Sequence, residues 1–299
     1  METARCKAFL GAVEQGTLSG AAEVLGYTPS GVSQLITALE EDLGMALLER
    51  TRKGVTLSEA GALMIPVIRG FVAQEGAVYE KAADIRGLAI GSVCVATYPS
   101  VATYWLPKVL RRFREEYPQI QMRLMEGIRQ ELLEWLKSGE ADLVIMPENP
   151  NIEEEMLDWI PLAEDPMVAV LPKEHPLAEA ACYPIARCGE EDFVMPALGH
   201  DVDVEELLAD YGIHPHIVFT TMENPVLLSL IQNGLGMSVM NRLCTSMWRD
   251  KVAVLPLDPP STVTFGIAAA GNRHLSPAAD KFEEYLVRML TKEASDQKR

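Results

Sequence analysis

Through about the first ninety residues the apolar positions recur mainly at helical spacing, and beyond them short strand-like and helix-like runs alternate. Thr17 to Leu43 predicts two short helices joined by a tight turn. The first has Thr17 or Ser19 as its cap, carries Ala21, Ala22 and Leu25 as a small apolar face, and stops at Gly26. Thr28 caps the second and Pro29 takes its first position, where a missing N–H costs nothing. Val32, Leu35, Ile36, Leu39 and Leu43 form its buried face, and Ser30, Ser33, Gln34 and Thr37 lie opposite. Leu47 to Leu57 reads as a two-stranded ribbon whose tip is Arg50-Thr51-Arg52-Lys53-Gly54. One long helix is then expected from Ser58, its cap, to about Arg86. Roughly 29 residues at 1.5 Å each would span about 43 Å. Its stripe of Ala60, Leu63, Met64, Val67, Phe71 and Val78 is broken once by Gln74, and Pro66 should bend it or mark a local break.

Arg86 to Gly91 is a hinge by composition. Strands are expected at Gly91–Tyr98, Gln119–Met125 and Ala141–Met146, with helices at Ser100–Tyr117 and Gln130–Ser138 between them. This predicts a parallel βαβαβ sheet. A second α/β unit follows, with strands at Met167–Leu171, Phe193–Met195, Ile217–Thr220 and Met237–Met240 and helices at Val204–Tyr211 and Pro225–Asn233. Thr264–Ala270 returns to the first unit, Pro277–Thr291 closes it, and Ser295–Arg299 reads as a polar, disordered tail. The chain thus crosses between two lobes near residues 163–167 and 261–266, which admits a small molecule between them.

The two short helices and ribbon form a winged helix-turn-helix. Short polar side chains on an exposed helix face can hydrogen-bond base edges in a major groove. The expected DNA contacts are Thr28, Ser30, Ser33, Gln34 and Thr37, with Arg50, Arg52 and Lys53 on the wing adding salt-dependent, sequence-blind affinity. Three stretches make the chain resemble the LysR-type transcriptional regulators: Phe9 to Leu18 with Ala21-Ala22, Pro29 to Glu40, and Leu48 to Thr51 through Leu57 to Gly61. The similarity extends to about Leu290. Many members of that family carry arginine where this chain has Gln34, and glutamine suits adenine as arginine suits guanine.

The resemblance implies an N-terminal winged helix-turn-helix, α with a small β wing, over residues 1–58. A dimerisation linker helix and hinge would occupy 59–90. A C-terminal α/β two-lobed effector-binding domain resembling a periplasmic binding protein would span 91–299, with lobe 1 at about 91–163 and 266–292 and lobe 2 at about 167–262. Expected partners are double-stranded promoter DNA, a small-molecule effector, a second copy in a homodimer or homotetramer, and RNA polymerase if the protein activates. A dimer would hide the helix stripe and present two recognition helices to successive half-sites.

Ligands of open α/β sheets bind beyond the carboxyl ends of the strands. That rule, and the resemblance, place the effector near Ser100, Val101, Gly127, Ile128, Pro147, Leu198, Gly199, His200 and Asn224, with Ser100 and Asn224 also expected as helix caps. Glu126, Glu148 and Glu223 near these ends, and no arginine after the third strand, favour a cationic, neutral or aromatic ligand over a di-acid.

The formal charge of −17 argues on its face against nucleic acid. Distribution changes that picture: residues 1–60 carry five Lys/Arg against eight Asp/Glu, a net of −3, with the cations concentrated in the wing. With 299 residues two to three domains are expected. There is no membrane-length apolar stretch and no signal-peptide pattern in METARCKAFL, so a cytoplasmic location is expected. Cys6, Cys94, Cys182, Cys188 and Cys244 lack a metal spacing, His214-Pro-His216 reads as a surface loop, and no cofactor or metal is expected. No catalytic motif points to an enzyme. A redox-responsive regulator using Cys182 and Cys188, and a solute-binding protein, stand as the alternatives.

Overall fold

A computed structural model describes residues 2–51, 54–86, 89–148, 157–196, 202–271 and 275–297. It opens on helix α1 (Thr3–Gln15), which precedes the two helices expected from the sequence. Helix α2 (Leu18–Leu25) is capped by Thr17, whose side chain accepts from Gly20 N, and ends on left-handed Gly26. Helix α3 (Pro29–Leu43) starts as expected at Thr28, whose hydroxyl accepts from Gly31 N. Val32, Ile36 and Leu39 are buried against Phe9 and Ala12 of α1 and Ala21 and Ala22 of α2.

Strands β1 (Leu48–Thr51) and β2 (Gly54–Leu57) form the antiparallel wing. Gly54 has φ +141°, and a Cβ there would collide with the Gly16 carbonyl oxygen. That same oxygen accepts from Val55 N at 2.9 Å, so a glycine lets the wing close onto the end of α1.

Helix α4 (Glu59–Ile85), capped by Ser58, runs without a break through Pro66. The proline removes only the rung to Ala62, an exposed residue whose carbonyl water can serve. One face of α4 packs Ile65 and Ile68 into the core that α1, α2 and α3 share. Polar contacts tie the helix down along its length. Glu75 receives Lys7 Nζ at 2.6 Å and Thr3 Oγ1 at 2.8 Å, and Arg69 donates to Ser138 Oγ at 3.0 Å and Glu140 Oε2 at 3.2 Å. Near its end, Lys281 reaches Asp84 at 2.8 Å.

In the first lobe, β3 (Gly91–Thr97) lies between β4 (Ile120–Glu126) and β5 (Leu143–Pro147), all parallel. The expected helix 100–117 is two, α5 (Pro99–Tyr104) and α6 (Leu106–Glu116), meeting at Trp105. Pro107, in the first turn of α6, cannot donate the N–H that a continuous helix would need. Helix α7 (Arg129–Ser138) covers the other face through Leu132 and Leu136. Phe113 of α6 meets Phe282 of the closing helix α10 (Pro277–Gln297) edge-on at 5.1 Å. That helix continues past Thr291 to Gln297, against the expected disordered tail, because nothing from Thr291 to Gln297 is a helix-breaking glycine or proline.

The lobes share one long strand, which makes the crossing expected near residues 163–167. Strand β6 (Leu157–Leu171) pairs with β12 (Thr262–Ala270) in the first lobe; its second part pairs with β10 (Ser238–Asn241) and β11 (Ala253–Asp258) in the second. The crossovers lie side by side, with Thr262 opposite Pro166. A further short strand, β7 (Tyr183–Pro184), borders β11, and neither had been assigned from sequence. Strands β8 (Asp192–Pro196) and β9 (His216–Thr221) are parallel, joined to the rest by the Phe193–Met237 bridge. Helices α8 (Val202–Asp210) and α9 (Asn224–Gln232) complete this lobe.

Candidate functional site

Two regions collect the expected functional residues. On α3, Thr28, Ser30, Gln34 and Thr37 are exposed and Ser33 is half-buried, opposite the face that holds Val32, Ile36 and Leu39. These polar side chains differ in availability. Thr28 Oγ1 is engaged by Gly31 N and lies 3.1 Å from Ser30 Oγ, whereas Gln34 and Thr37 point outward with no side-chain hydrogen bond to a described residue. Arg50 of the wing donates from Nη2 to Ser33 Oγ at 3.0 Å, so the wing and α3 are clasped together. Arg52 and Lys53 lie outside the described residues, as do Gly87 and Leu88 of the hinge and Leu198, Gly199 and His200 of the expected effector site.

The second region is a small cavity of about 100 Å³ between the lobes. Tyr98, Ser100, Ile128, Arg129, Pro147 and Phe265 line it from the first lobe, and Asp203, Asn224, Met240, Asn241 and Cys244 are among its lining from the second. Of the expected residues, Ser100, Ile128, Pro147 and Asn224 meet here. Val101 does not line it: its side chain is fully buried in the first lobe's core, the inward position of a helix packed on the sheet. Gly127 also stays outside the lining, at the close approach of the chain to Glu131 and Trp135.

Neither expected cap is one. Tyr98 precedes α5 with Pro99 in its first turn, which leaves the Ser100 hydroxyl without a hydrogen bond to any described residue. Glu223 occupies the cap position of α9, and Asn224 turns its Nδ2 to Cys244 Sγ at 3.3 Å. Sequence reasoning missed the ion pair that spans the cleft. Arg129, at the start of α7, donates to Asp203 Oδ1 on α8 at 3.0 Å, with side chains only 14% and 17% exposed. It missed Asn241 as well, whose Nδ2 is buried without a partner among the described residues. The carboxyl-end rule, applied to the strand that ends there, would have found it. The glutamates behind the expected ligand preference, Glu126, Glu148 and Glu223, are exposed and do not line the cavity.

Behind the cleft, Asp165 is buried at the crossover and accepts from Leu243 N at 3.0 Å. Burial raises its carboxyl to about 6, against the pull of that N–H and of Arg242. Cys188 is fully buried and burial pushes its thiol up to about 12, which keeps it protonated and poorly reactive. No group of three or more His, Cys, Asp or Glu among the described residues is arranged to hold a metal ion. No helix among them is long and apolar enough to cross a membrane.

Known proteins share this arrangement. The family model described as the LysR substrate binding domain matches residues 86–291, and that of the bacterial regulatory helix-turn-helix protein, lysR family, matches residues 4–62. The chain is 27% identical over 287 residues to the uncharacterized HTH-type transcriptional regulator YvbU of Bacillus subtilis, covering 95% of this chain and 97% of that protein. The RuBisCO operon transcriptional regulator of Allochromatium vinosum is also 27% identical, with 94% of each chain covered. Among solved structures, full-length OxyR from Pseudomonas aeruginosa superimposes with a TM-score of 0.75 at 20% identity, over 97% of both chains. The regulatory domain of CcmR from Synechocystis, solved in complex with 2-PG, gives a TM-score of 0.61 at 24% identity over 67% of this chain and 97% of that one.

Proposed function

The chain belongs to the LysR family of bacterial helix-turn-helix transcriptional regulators, and from that premise we propose that a small molecule held between its lobes governs how a dimer of it grips promoter DNA. Division at residues 1–58, 59–90 and 91–299 serves this purpose. The first segment reads DNA, α4 pairs two copies, and the remainder senses. Ser30, Ser33, Gln34 and Thr37 read or approach base edges, Thr28 chiefly sets the start of α3, and Arg50, Arg52 and Lys53 engage phosphates. Such a protein works in the cytoplasm without catalysing a reaction; assembly to a tetramer, and contact with RNA polymerase if it activates, extend the proposal.

One observation supports the effector reading most strongly: Asn241 Nδ2 is buried in the cleft with no acceptor among the described residues. An unsatisfied buried donor costs about 1–3 kcal/mol, and a bound ligand oxygen would remove that cost. With the free Ser100 hydroxyl and the Arg129 guanidinium nearby, the donors favour a small carboxylate. This replaces the preference drawn from the exposed glutamates. A volume of about 100 Å³ is below the usual range for a ligand site, so entry requires the lobes to part and the Arg129–Asp203 pair to open. CcmR and QuiR, whose effector domains share the fold, were solved with 2-PG and shikimate respectively, which is consistent with a small anionic ligand here.

Two outcomes test this reading. Gln34→Ala is expected to lower operator affinity by roughly 1–3 kcal/mol while sparing random DNA, read by fluorescence anisotropy on both. Equal losses would remove Gln34 from base readout. Ser100→Ala and Arg129→Gln are expected to abolish the response of operator binding to an effector found by thermal-shift screening, with basal operator binding intact. A ligand at 100 times its dissociation constant stabilises the fold by about 2.7 kcal/mol, well within detection. A normal response in both variants would move the effector away from this cleft.

A further inference from the structure

A cavity of about 580 Å³, several times the volume of the interlobe cleft, lies on the second lobe against β6 and β11. Its walls include Val168, Val252 and Val254, while Lys173, Arg242 and Arg249 border it from three separate segments. Cations are scarce in this lobe. Lys173, Arg187, Arg242, Arg249 and Lys251 are the only lysines and arginines from Pro161 to Thr262, and three of these five meet at one cavity. The other two are engaged elsewhere: Arg187 lies near Glu190 and Glu191, and Lys251 sits over the Trp248 ring at 4.5 Å. Lys173, Arg242 and Arg249 form no ion pair with a described residue. One carboxylate, Glu179, lines the same cavity and the buried Asp165 interacts with Arg242, so the three cations still leave a local excess of positive charge on a chain whose formal charge is −17.

We propose that this cavity is a second ligand site, separate from the interlobe cleft, for a small organic phosphate. A phosphate monoester carries about −1.5 to −2 at neutral pH, opposite in sign to that excess. Guanidinium groups suit its oxygens, and the valine wall accepts an apolar body. The volume falls in the range of small-molecule sites. Position also ties it to the cleft. Arg242 begins the 3-10 turn Arg242–Thr245, which is anchored by Asp165 through Leu243 N. Asn241 and Cys244, on either side of that anchor, line the interlobe cavity. A ligand drawn to Arg242 therefore bears on the same turn as one in the cleft, and the two affinities are linked reciprocally.

Phenyl phosphate is the probe, titrated calorimetrically into the full-length protein at constant ionic strength, with benzyl alcohol as the uncharged control. The expected result is saturable binding of phenyl phosphate alone, weakened about tenfold or more in Arg249→Gln and in Lys173→Gln and unchanged in Arg129→Gln. Both cavity variants alter exposed side chains, and an unchanged melting temperature confirms that they fold. Loss in Arg129→Gln with full binding in Arg249→Gln would assign the anion to the interlobe cleft and overturn the second site. Absence of saturable binding to the wild-type protein would overturn it too, without touching the cleft reading, whose test uses Ser100 and Arg129.

Discussion

A Leu63→Glu, Val67→Glu double variant is expected to be a monomer that retains its secondary structure and loses operator affinity. Leu63 and Val67 are 74% and 62% exposed on α4, on the side away from Ile65 and Ile68, which are buried in the DNA-binding unit. Val78 and Ile85 continue the exposed apolar stripe toward the far end of the helix. An apolar stripe of this length is not normally left in water, and a second copy of α4 would cover it. Burying a Leu or Val side chain contributes about 1.5–3 kcal/mol. Each substitution occurs twice across a two-fold interface, so the loss on association is on the order of 5 kcal/mol or more before the cost of desolvating carboxylates is added. Sedimentation equilibrium reads the mass, circular dichroism the helix content, and anisotropy the operator affinity. A dimer of unchanged strength would show that this stripe is not the subunit interface.

Asp165→Asn is expected to make the protein more stable at pH 8 and to change little near pH 4. The folded-state pKa of Asp165 is raised from 3.8 to about 6 by burial. A carboxyl that binds its proton more tightly when folded contributes stability below its unfolded pKa, and that contribution is lost as pH rises through about 6. The shift of about two units corresponds to about 3 kcal/mol between the two ends of that window. Asparagine keeps an oxygen for Leu243 N and carries no charge to desolvate. The difference in melting temperature between the variant and the wild type should therefore widen from pH 4 to pH 8. Parallel curves would contradict the raised pKa. Because Asp165 sits where the lobes cross and holds the turn bearing Asn241 and Arg242, the same variant should also alter effector affinity above pH 6.

Local rules carried much of the architecture. The caps at Thr17, Thr28 and Ser58 and the stop at Gly26 were legible because a hydroxyl or a left-handed glycine acts within a few residues. Parallel β3, β4 and β5 were legible from the spacing of apolar runs. Strands β7 and β11 were not, since β7 is two residues long and β11 carries Pro256 within it. The sharing of β6 by both lobes also escaped the pattern, because Asp165-Pro166 looks like a break. Only the tertiary partners Thr262 and Leu243 make that step compatible with a strand.

The candidate site divides in the same way. Ser100, Ile128, Pro147 and Asn224 could be placed near the cleft because strand ends point there. Arg129 and Asp203 could not be paired from sequence, being 74 residues apart and on opposite lobes. Asn241 gains its meaning only from the absence of a partner, which no sequence pattern encodes. On the DNA-binding side, the outward face of α3 followed directly from its periodicity, whereas the Arg50–Ser33 clasp depended on how the wing folds back.

The most direct measurement is selection of bound sequences from a random double-stranded DNA library by the full-length protein, run in parallel with Gln34→Ala. A dimer reading DNA through α3 selects a pseudo-palindrome whose half-sites repeat about one helical turn apart or at a multiple of it, and the variant loses preference at one position of each half-site. Recovery of no motif, or of the same motif at the same strength with Gln34→Ala, would contradict sequence reading by this helix.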